Sequence, residues 1–226
     1  MNKTAFNPSR AAQLLSDGLS QTTLNISAAQ QEQLISYLTL MAKWNPVYNL
    51  TAIRDTEKMV SHHLLDSLVI QPHLHNWLGE NPEPRILDVG TGGGLPGIVL
   101  AILNPDWRIT LVDPVHKKTA FLQQVKAQLA LTNVTVVTGK VEDLPPAEQY
   151  DLITSRAFAS VIDFVTLSEN VLKEHGCFAA MKGVFPDDEM AELNAAFAGK
   201  WQATSVELIV PQLDAQRHLI RLSRIR

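Results

Sequence analysis

A single cysteine, Cys177, stands among the 226 residues. No internal disulfide can form, and a reducing compartment suits such a chain. Positive charge is not in surplus either. Lys and Arg number 19 against 23 Asp and Glu, a formal net charge of -4. That excludes a strongly basic nucleic-acid coat and leaves room for a local basic site. No apolar run is long enough to span a bilayer. The segment Met1 to Arg10 is polar and lacks the apolar core of a secretory signal. Internal repeats and low-complexity tracts are absent. The expectation is a cytoplasmic protein with no membrane partner. Hydrophobic residues make up 46%, so a sizeable core can be buried and global disorder is excluded. The length suits one α/β domain with an appendage, or two small domains.

What the chain does have is glycine concentrated in one place, Asp88-Val89-Gly90-Thr91-Gly92-Gly93-Gly94-Leu95-Pro96-Gly97. Apolar Arg85-Ile86-Leu87 runs into it and a helix-like stretch from Ile98 to Leu103 runs out of it. Strand, glycine loop, helix is the order in which a doubly wound sheet builds a nucleoside site. Such a loop offers unpaired N–H groups at a helix start.

The rest of the chain falls into two parts. Residues 1–84 read as a helical cap, with helices over Ser9–Leu19, Ser27–Trp44 and Thr56–Leu74. Ser27 is an N-cap candidate, and Leu34, Ile35, Leu38 and Met41 recur at helical spacing. Asn45-Pro46 is expected to end the second helix, because the residue before proline avoids the α region. Asn81-Pro82-Glu83-Pro84 reads as a short rigid linker. Residues 85–226 alternate between strand and helix, which implies a parallel sheet with right-handed crossovers. Strands are expected at Arg85–Val89, Arg108–Val112, Val134–Val137, Tyr150–Thr154 and Phe178–Met181, with helices at Gly97–Leu103, His116–Leu129, Val161–Leu172 and Asp187–Ala198. Trp201–Val210 and His218–Ser223 follow as consecutive strands, expected as an antiparallel edge, which makes seven strands.

Gly92 to Gly97 satisfies G-x-G-x-x-G, a pattern that suits NAD, FAD or other nucleosides equally. Asp88 sharpens it. An acid at the end of the first strand is awkward for a pyrophosphate and suits a positively charged, phosphate-free ligand such as S-adenosylmethionine. The alternative is a structural turn in which Asp88 bonds the loop's own N–H groups. Asp113, about twenty residues past the loop, stands where an acid receives ribose hydroxyls. Its alternative role is to cap the helix that follows Pro114. Val141-Glu142-Asp143 follows the third strand, where a backbone N–H and a carboxylate could meet an adenine edge. The fourth strand ends in Ser155-Arg156-Ala157-Phe158, which is neither the Pro-Pro-aromatic element of amine methylation nor a catalytic cysteine. Cys177 fits a small core residue. His62 and Asp66 at i, i+4 suggest a helix-surface pair, with no third ligand for a metal.

Together these residues resemble the bacterial small-subunit ribosomal RNA methyltransferase G family, also called glucose-inhibited division protein B. The matching signatures are Lys43-Trp44-Asn45 with Tyr48-Asn49-Leu50-Thr51, and His63-x-Leu65-Asp66-Ser67. They continue through Asp88 to Gly97, Asp113 with Lys117, Ser155-Arg156-Ala157-Phe158-Ala159, Lys182-Gly183 and Arg217-His218-Leu219. The resemblance runs from about Ser27 to Arg226. Lys140, where the family more often has arginine, and Gly93, where it often has proline, depart from the pattern. The resemblance implies a Rossmann-like S-adenosylmethionine-dependent methyltransferase fold, with a mostly parallel sheet and an antiparallel last strand. It implies methyl transfer to N7 of one guanine in the decoding-centre loop of 16S rRNA, within the small ribosomal subunit. Ligand contacts are implied at Gly90, Leu95, Val141, Glu142 and Arg156, beside Asp88, Gly92, Gly94 and Asp113.

Guanine N7 carries an in-plane lone pair and no proton, so the acceptor needs no general base, and orientation supplies the catalysis. The candidate catalytic side chains are His63, Asp66 and Arg156. Asp66 and Glu142 are candidates to stabilise the positive purine product, and Arg156 to hold the methionine carboxylate or a phosphate. RNA contact is assigned to Arg54, Lys117, Lys118, Lys182 and Arg217, within a wider set that includes Lys58, His62, Lys126, Arg221, Arg224 and Arg226. Phosphate contacts supply most affinity in such complexes, and the target base would be splayed out to reach the cofactor. A monomer without metal is expected. Two rival readings are an NAD-dependent oxidoreductase, from the glycines alone, and a non-enzymatic ribosome assembly factor on a methyltransferase fold.

Overall fold

A computed structural model describes residues 6–156, 158 and 160–225. Ala157, Ala159, Arg226 and the first five residues of the polar start lie outside the described residues. Helices α1 (Pro8–Leu19), α2 (Ala28–Tyr48), α3 (Thr56–Met59), α4 (Asp66–Leu68) and α5 (Gln71–Leu78) precede β1 (Arg85–Val89). Then come α6 (Gly97–Leu103), β2 (Arg108–Asp113), α7 (His116–Gln128), β3 (Val134–Thr138), β4 (Tyr150–Ser155), α8 (Val161–Ser168), β5 (Leu172–Lys182), α9 (Asp187–Ala196), β6 (Trp201–Glu207) and β7 (His218–Arg224). The strands form one seven-stranded sheet in the order β3-β2-β1-β4-β5-β7-β6. All pairs from β3 to β5 are parallel, and β7 is antiparallel to both its neighbours.

Successive strand residues point to opposite faces of the sheet. Ile86, Ile109, Leu111, Leu152 and Ala179 join one core with α6, α7 and the N-terminal helices. Leu87, Val112, Ile153, Phe178 and Ile220 join a second core with α8 and α9. The first core is continuous across the Pro82–Pro84 linker, because α2 packs directly on α6 and α7. The strand order reverses between β1 and β4, and ligands of open α/β sheets bind beyond the carboxyl ends of strands at such a point.

The N-terminal helices depart from expectation in two places. Helix α2 does not stop at Asn45-Pro46 but runs through Pro46 to Tyr48, ending on Asn49 in the left-handed region at φ 50°. Packing overrides the local preference of a residue before proline. Trp44 stacks on Tyr48 at 4.9 Å and packs on Phe121 of α7 at 5.7 Å. Buried Asn45 donates through its amide to Ile53 O (3.1 Å) and accepts from Thr51 N (2.9 Å). The helix expected over Thr56–Leu74 is instead divided. A π-helical segment, Val60–Leu65, separates α3 from α4, and the chain breaks at Val69-Ile70 before α5. Pro72 has no N–H to continue the ladder and starts α5 instead. A π segment inserts an extra residue into the turn and frequently marks a functional site.

The remaining differences lie in the sheet. β5 has 11 residues, because its exposed first half, Lys173-Glu174-His175, carries no apolar signal. Leu172, expected as the end of a helix, is its first residue; α8 stops at Ser168. β6 and β7 form the expected antiparallel pair at the rim, with β7 as the inner strand against β5 and β6 outermost. Replacing Asn45 by Ala leaves the Thr51 N–H without its buried acceptor. The expected loss is about 2 kcal/mol in equilibrium urea unfolding.

Candidate functional site

The loop between β1 and α6 is built against its own backbone donors. Gly90 N and Thr91 N donate to Val112 O (2.9 and 3.2 Å). Gly94 N and Leu95 N donate to Thr91 O (2.8 and 3.1 Å), and Ile98 N to Gly94 O (2.8 Å). Gly92 N donates to Asp113 Oδ2 and Gly97 N to Asp88 Oδ2, each at 2.9 Å. The free N–H cradle expected from the glycine pattern is therefore not what the loop presents. Gly94 has φ +99°, and a Cβ there would lie 2.6 Å from Ile98 Cγ1, so only glycine fits.

Three side chains fix this loop. Asp88 is fully buried; its Oδ2 accepts from Thr91 Oγ1 (2.6 Å) and Gly97 N. That is the structural turn weighed as the alternative for Asp88. Burial pushes its carboxyl up to about 7, against the opposing pull of those two hydrogen bonds. Asp113, also buried, accepts from Gly92 N through Oδ2 and from Val115 N through Oδ1 (2.9 Å), and pairs with Lys118 Nζ at 3.3 Å. It thus braces the start of α7 as well as the loop. The third is Tyr37 of α2, whose buried hydroxyl donates to Gly93 O at 2.6 Å. Burial holds that phenol well above its usual range. Tyr37 was not among the expected site residues. The signal for it was present: it shares the apolar helical stripe of Leu34, Leu38 and Met41 while carrying a hydroxyl that needs a partner.

Beyond β3, Val141 is buried in a single 3-10 turn with Glu142 and Asp143. Lys140 stays exposed and approaches Glu142 at 3.9 Å. Glycine loop, Asp113 and this turn lie along the carboxyl ends of β1, β2 and β3, so the chain brings the expected cofactor-side residues to one edge.

On the other side of the switch point, an open cavity of about 430 Å³ is lined by Thr51, His62, His63, Asp66, Arg156 and Arg217, with Lys182 at its wall. Ser155 Oγ at the end of β4 donates to Val89 O at the end of β1 (2.8 Å), which ties the two strand ends together. Arg156 follows directly and donates through Nη1 to His62 O (2.8 Å) and to Asp66 Oδ2 (3.4 Å). Arg217 Nε donates to Asp66 Oδ1 at 2.8 Å. One buried carboxylate therefore holds two arginines from distant parts of the chain. His63 is buried with Nε2 at 2.9 Å from Thr51 Oγ1. Burial, reinforced by Arg156, lowers its pKa to about 3, so it is neutral. His62, within the π segment, meets Ser61 Oγ through Nδ1 at 3.0 Å, and Asp66 is buried, so the two do not form the expected helix-surface pair. Among the described residues no cluster of three metal-ligating side chains forms, and no helix is long and apolar enough to cross a membrane.

The expected RNA-contact residues divide. Lys182 and Arg217 line the cavity, with Lys182 paired to Glu189 at 2.9 Å. Arg54 is exposed next to the lining residue Ile53 and donates to Asn49 Oδ1. Lys117 and Lys118 stand on the first turn of α7, beyond the carboxyl end of β2 and away from the cavity, Lys117 exposed and Lys118 held by Asp113. Arg221 and Arg224 do not join the rim. β7 runs antiparallel, so its first residue faces the carboxyl ends of the other strands and its arginines are carried away from them. Arg221 lies 5.5 Å over Trp77, and Arg224 bonds the carbonyls of Lys173 and Glu174.

Comparison with known proteins matches this geometry to one family. The family model for rRNA small subunit methyltransferase G covers residues 30–220. The ribosomal RNA small subunit methyltransferase G of Burkholderia vietnamiensis is 49% identical over 223 residues, 97% of this chain and 95% of the relative. That of a Janthinobacterium species is 50% identical over 225 residues, 97% and 98% of the two chains. This chain belongs to the rRNA small subunit methyltransferase G family. Solved structures of other methyltransferases share the fold. An S-adenosylmethionine-dependent methyltransferase from Aquifex aeolicus superposes with a TM-score of 0.57 at 15% identity, over 77% of this chain and 97% of that one. The human methyltransferase 10 domain containing protein gives 0.58 at 16% identity, over 83% and 95%.

Two buried groups give this methyltransferase G family member opposite pH dependences. Asp88 has a folded pKa of about 7 against 3.8 unfolded, so the folded state holds its proton longer. Its contribution is full below pH 4 and is lost as pH rises towards 7, with a slope approaching about 1.4 kcal/mol per pH unit. His63 has a folded pKa of about 3 against 6.5 unfolded. Its contribution is full above 6.5 and is lost as pH falls towards 3. Urea unfolding across pH checks both signs. Asp88→Asn should flatten the loss towards neutrality, and His63→Gln should flatten the loss towards acid.

Proposed function

We propose that this family member transfers a methyl group from S-adenosylmethionine to N7 of one guanine in the decoding-centre loop of 16S rRNA. The observation that carries the cofactor reading is the occupied state of the glycine loop. A dinucleotide pyrophosphate needs free N–H donors at a helix start, and Gly92, Gly94, Leu95 and Gly97 already donate within the protein. Two buried carboxylates, Asp88 and Asp113, stand beside the loop. A loop whose donors are already engaged does not suit a pyrophosphate, which disfavours an NAD-dependent oxidoreductase. The family match disfavours a non-enzymatic assembly factor.

The residues present fit S-adenosylmethionine. Asp113 keeps unused acceptor lone pairs on both oxygens, enough for ribose hydroxyls once Lys118 yields. Val141 and Glu142 offer a backbone donor and a carboxylate for the adenine edge, and Arg156 a guanidinium for the methionine carboxylate. When bound, the cofactor supplies the electrophilic methyl group on a sulfonium.

The acceptor side fits a nucleophile that needs no deprotonation. His63 is kept neutral and its Nε2 is engaged by Thr51. Asp66 is held by two arginines. Neither is poised to take a proton, as guanine N7 requires. The chain's task is then to hold the purine in line with the methyl group and to exclude water. Methylation places positive charge on the ring, which the Glu142 carboxylate can offset, whereas the charge of Asp66 is already met by two arginines.

Borohydride and aniline cleavage specific for N7-methylguanine tests the reaction. The 16S rRNA of a strain lacking the gene should lose one cleavage in the decoding-centre loop and regain it on complementation. Identical maps would overturn the proposal. Arg156→Ala should weaken S-adenosylmethionine binding roughly tenfold in equilibrium dialysis, as expected for a lost charge-assisted hydrogen bond. Unchanged affinity would remove Arg156 from the cofactor site.

A further inference from the structure

We infer that Arg217, held in place by Asp66, is a seat for one backbone phosphate of the RNA strand that enters the 430 Å³ cavity. This inference rests on the reading of that cavity as the RNA side of the site. Its starting point is how little of each guanidinium the protein uses. Arg–carboxylate pairs are frequently bidentate, with two parallel N–H donors on two oxygens. Here Asp66 instead divides its oxygens: Oδ1 accepts from Arg217 Nε, and Oδ2 from Arg156 Nη1. Arg217 Nη1 donates to Gln216 O at 2.8 Å, which fixes the plane of the guanidinium. Among the described residues, Arg217 Nη2 has no partner, and neither do Nε and Nη2 of Arg156. The Arg217 and Arg156 side chains are 22% and 27% exposed, while Asp66 is 3% exposed. The anion that balances the two cations is thus buried, while both arginines line the cavity and stay partly exposed.

One negative charge against two arginines leaves a net positive cavity, even though the chain as a whole is at -4. A planar donor whose rotamer is already fixed loses little entropy on binding phosphate oxygens. The two arginines are not equivalent. Arg156 follows β4 beside the β1 strand end, next to the glycine loop, and serves the cofactor. Arg217 immediately precedes β7, two strands farther along the sheet, with β5 between. A nucleotide whose base reaches towards β1 would carry its backbone on the β5 and β7 side, where Arg217 stands. Asp66 is a positioning residue in this arrangement. It acts through Arg217, not on the base.

The test is binding of the full chain to a 16S rRNA fragment containing the decoding-centre loop, by filter retention over a series of KCl concentrations. Arg217→Gln should lower the slope of log affinity against log salt by about one, the signature of one lost phosphate contact. Arg217→Lys should keep that slope and lose part of the affinity, because the charge stays and the fork does not. Binding of S-adenosylmethionine alone should be unchanged in both. Asp66→Asn should weaken RNA binding, and adding Arg217→Gln to it should cost no more than Arg217→Gln alone. An unchanged salt slope in Arg217→Gln overturns the seat, including the case where affinity falls through lost packing. Weakened cofactor binding with intact RNA binding would show that the anion is the cofactor carboxylate, and overturns it too. Additive losses in the double variant overturn the role of Asp66. Thermal unfolding of each variant confirms that it is folded, and if Asp66→Asn is not, the two Arg217 variants decide. Because binding is read without methyl transfer, a wild-type chain that binds the fragment but never methylates it would sink the functional reading and leave this result standing.

Discussion

The buried carboxylate of Asp88 is the constraint on which the site depends. It lies at the end of a central strand with no exposed surface, and one of its oxygens closes the turn by taking both Thr91 Oγ1 and Gly97 N. Burying an ionisable group is costly unless it is bonded, and here the bonds are to the loop that must be shaped. The loop's conformation and the protonation of this acid are therefore coupled. Asp113 from β2 and Tyr37 from α2 complete the bracing. Since Tyr37 comes from the N-terminal layer, that layer takes part in shaping the glycine loop.

The switch point between β1 and β4 divides the chemistry by charge. Carboxylates gather along the ends of β1, β2 and β3, where a cationic nucleoside is expected. Cations gather beyond β4, where a polyanion is expected. Fields of this kind are local, which is how a chain of net charge -4 offers a positive cavity. Asp66 keeps the positive side from repelling itself, since it sits between two guanidinium groups that would otherwise face each other.

Much of this was visible in the sequence, for reasons that differ by residue. β1 and α6 have the bounds expected of them, because apolar runs and glycines define both ends. Asp113 was located by its spacing from the loop, although its hydrogen bonds also serve the loop itself. What escaped was decided by tertiary contacts. Pro46 sits inside a helix because Trp44, Asn45 and Tyr48 are gripped from outside it. The π segment has no local marker, yet it sets where His63 and Asp66 point. The occupied donors of the glycine loop depend on Val112 and Asp113, one strand away. The direction of β7, which takes Arg221 and Arg224 away from the cavity, depends on strand pairing over long sequence separation.

β7 is also the last strand of the described chain, and it is not the outermost one. It fills a slot between β5 and β6, and Arg217 enters with it. Contacts between Asp66 and Arg217 span 151 positions. During synthesis the glycine loop and β1 to β5 can assemble first, while Asp66 has only Arg156 for company and the sheet has an open edge. Long-range pairings of this kind form late. A nascent chain could therefore shape its nucleoside side before its polyanion side exists. The cavity is complete only when β7 has taken its place between β5 and β6 and brought Arg217 to Asp66.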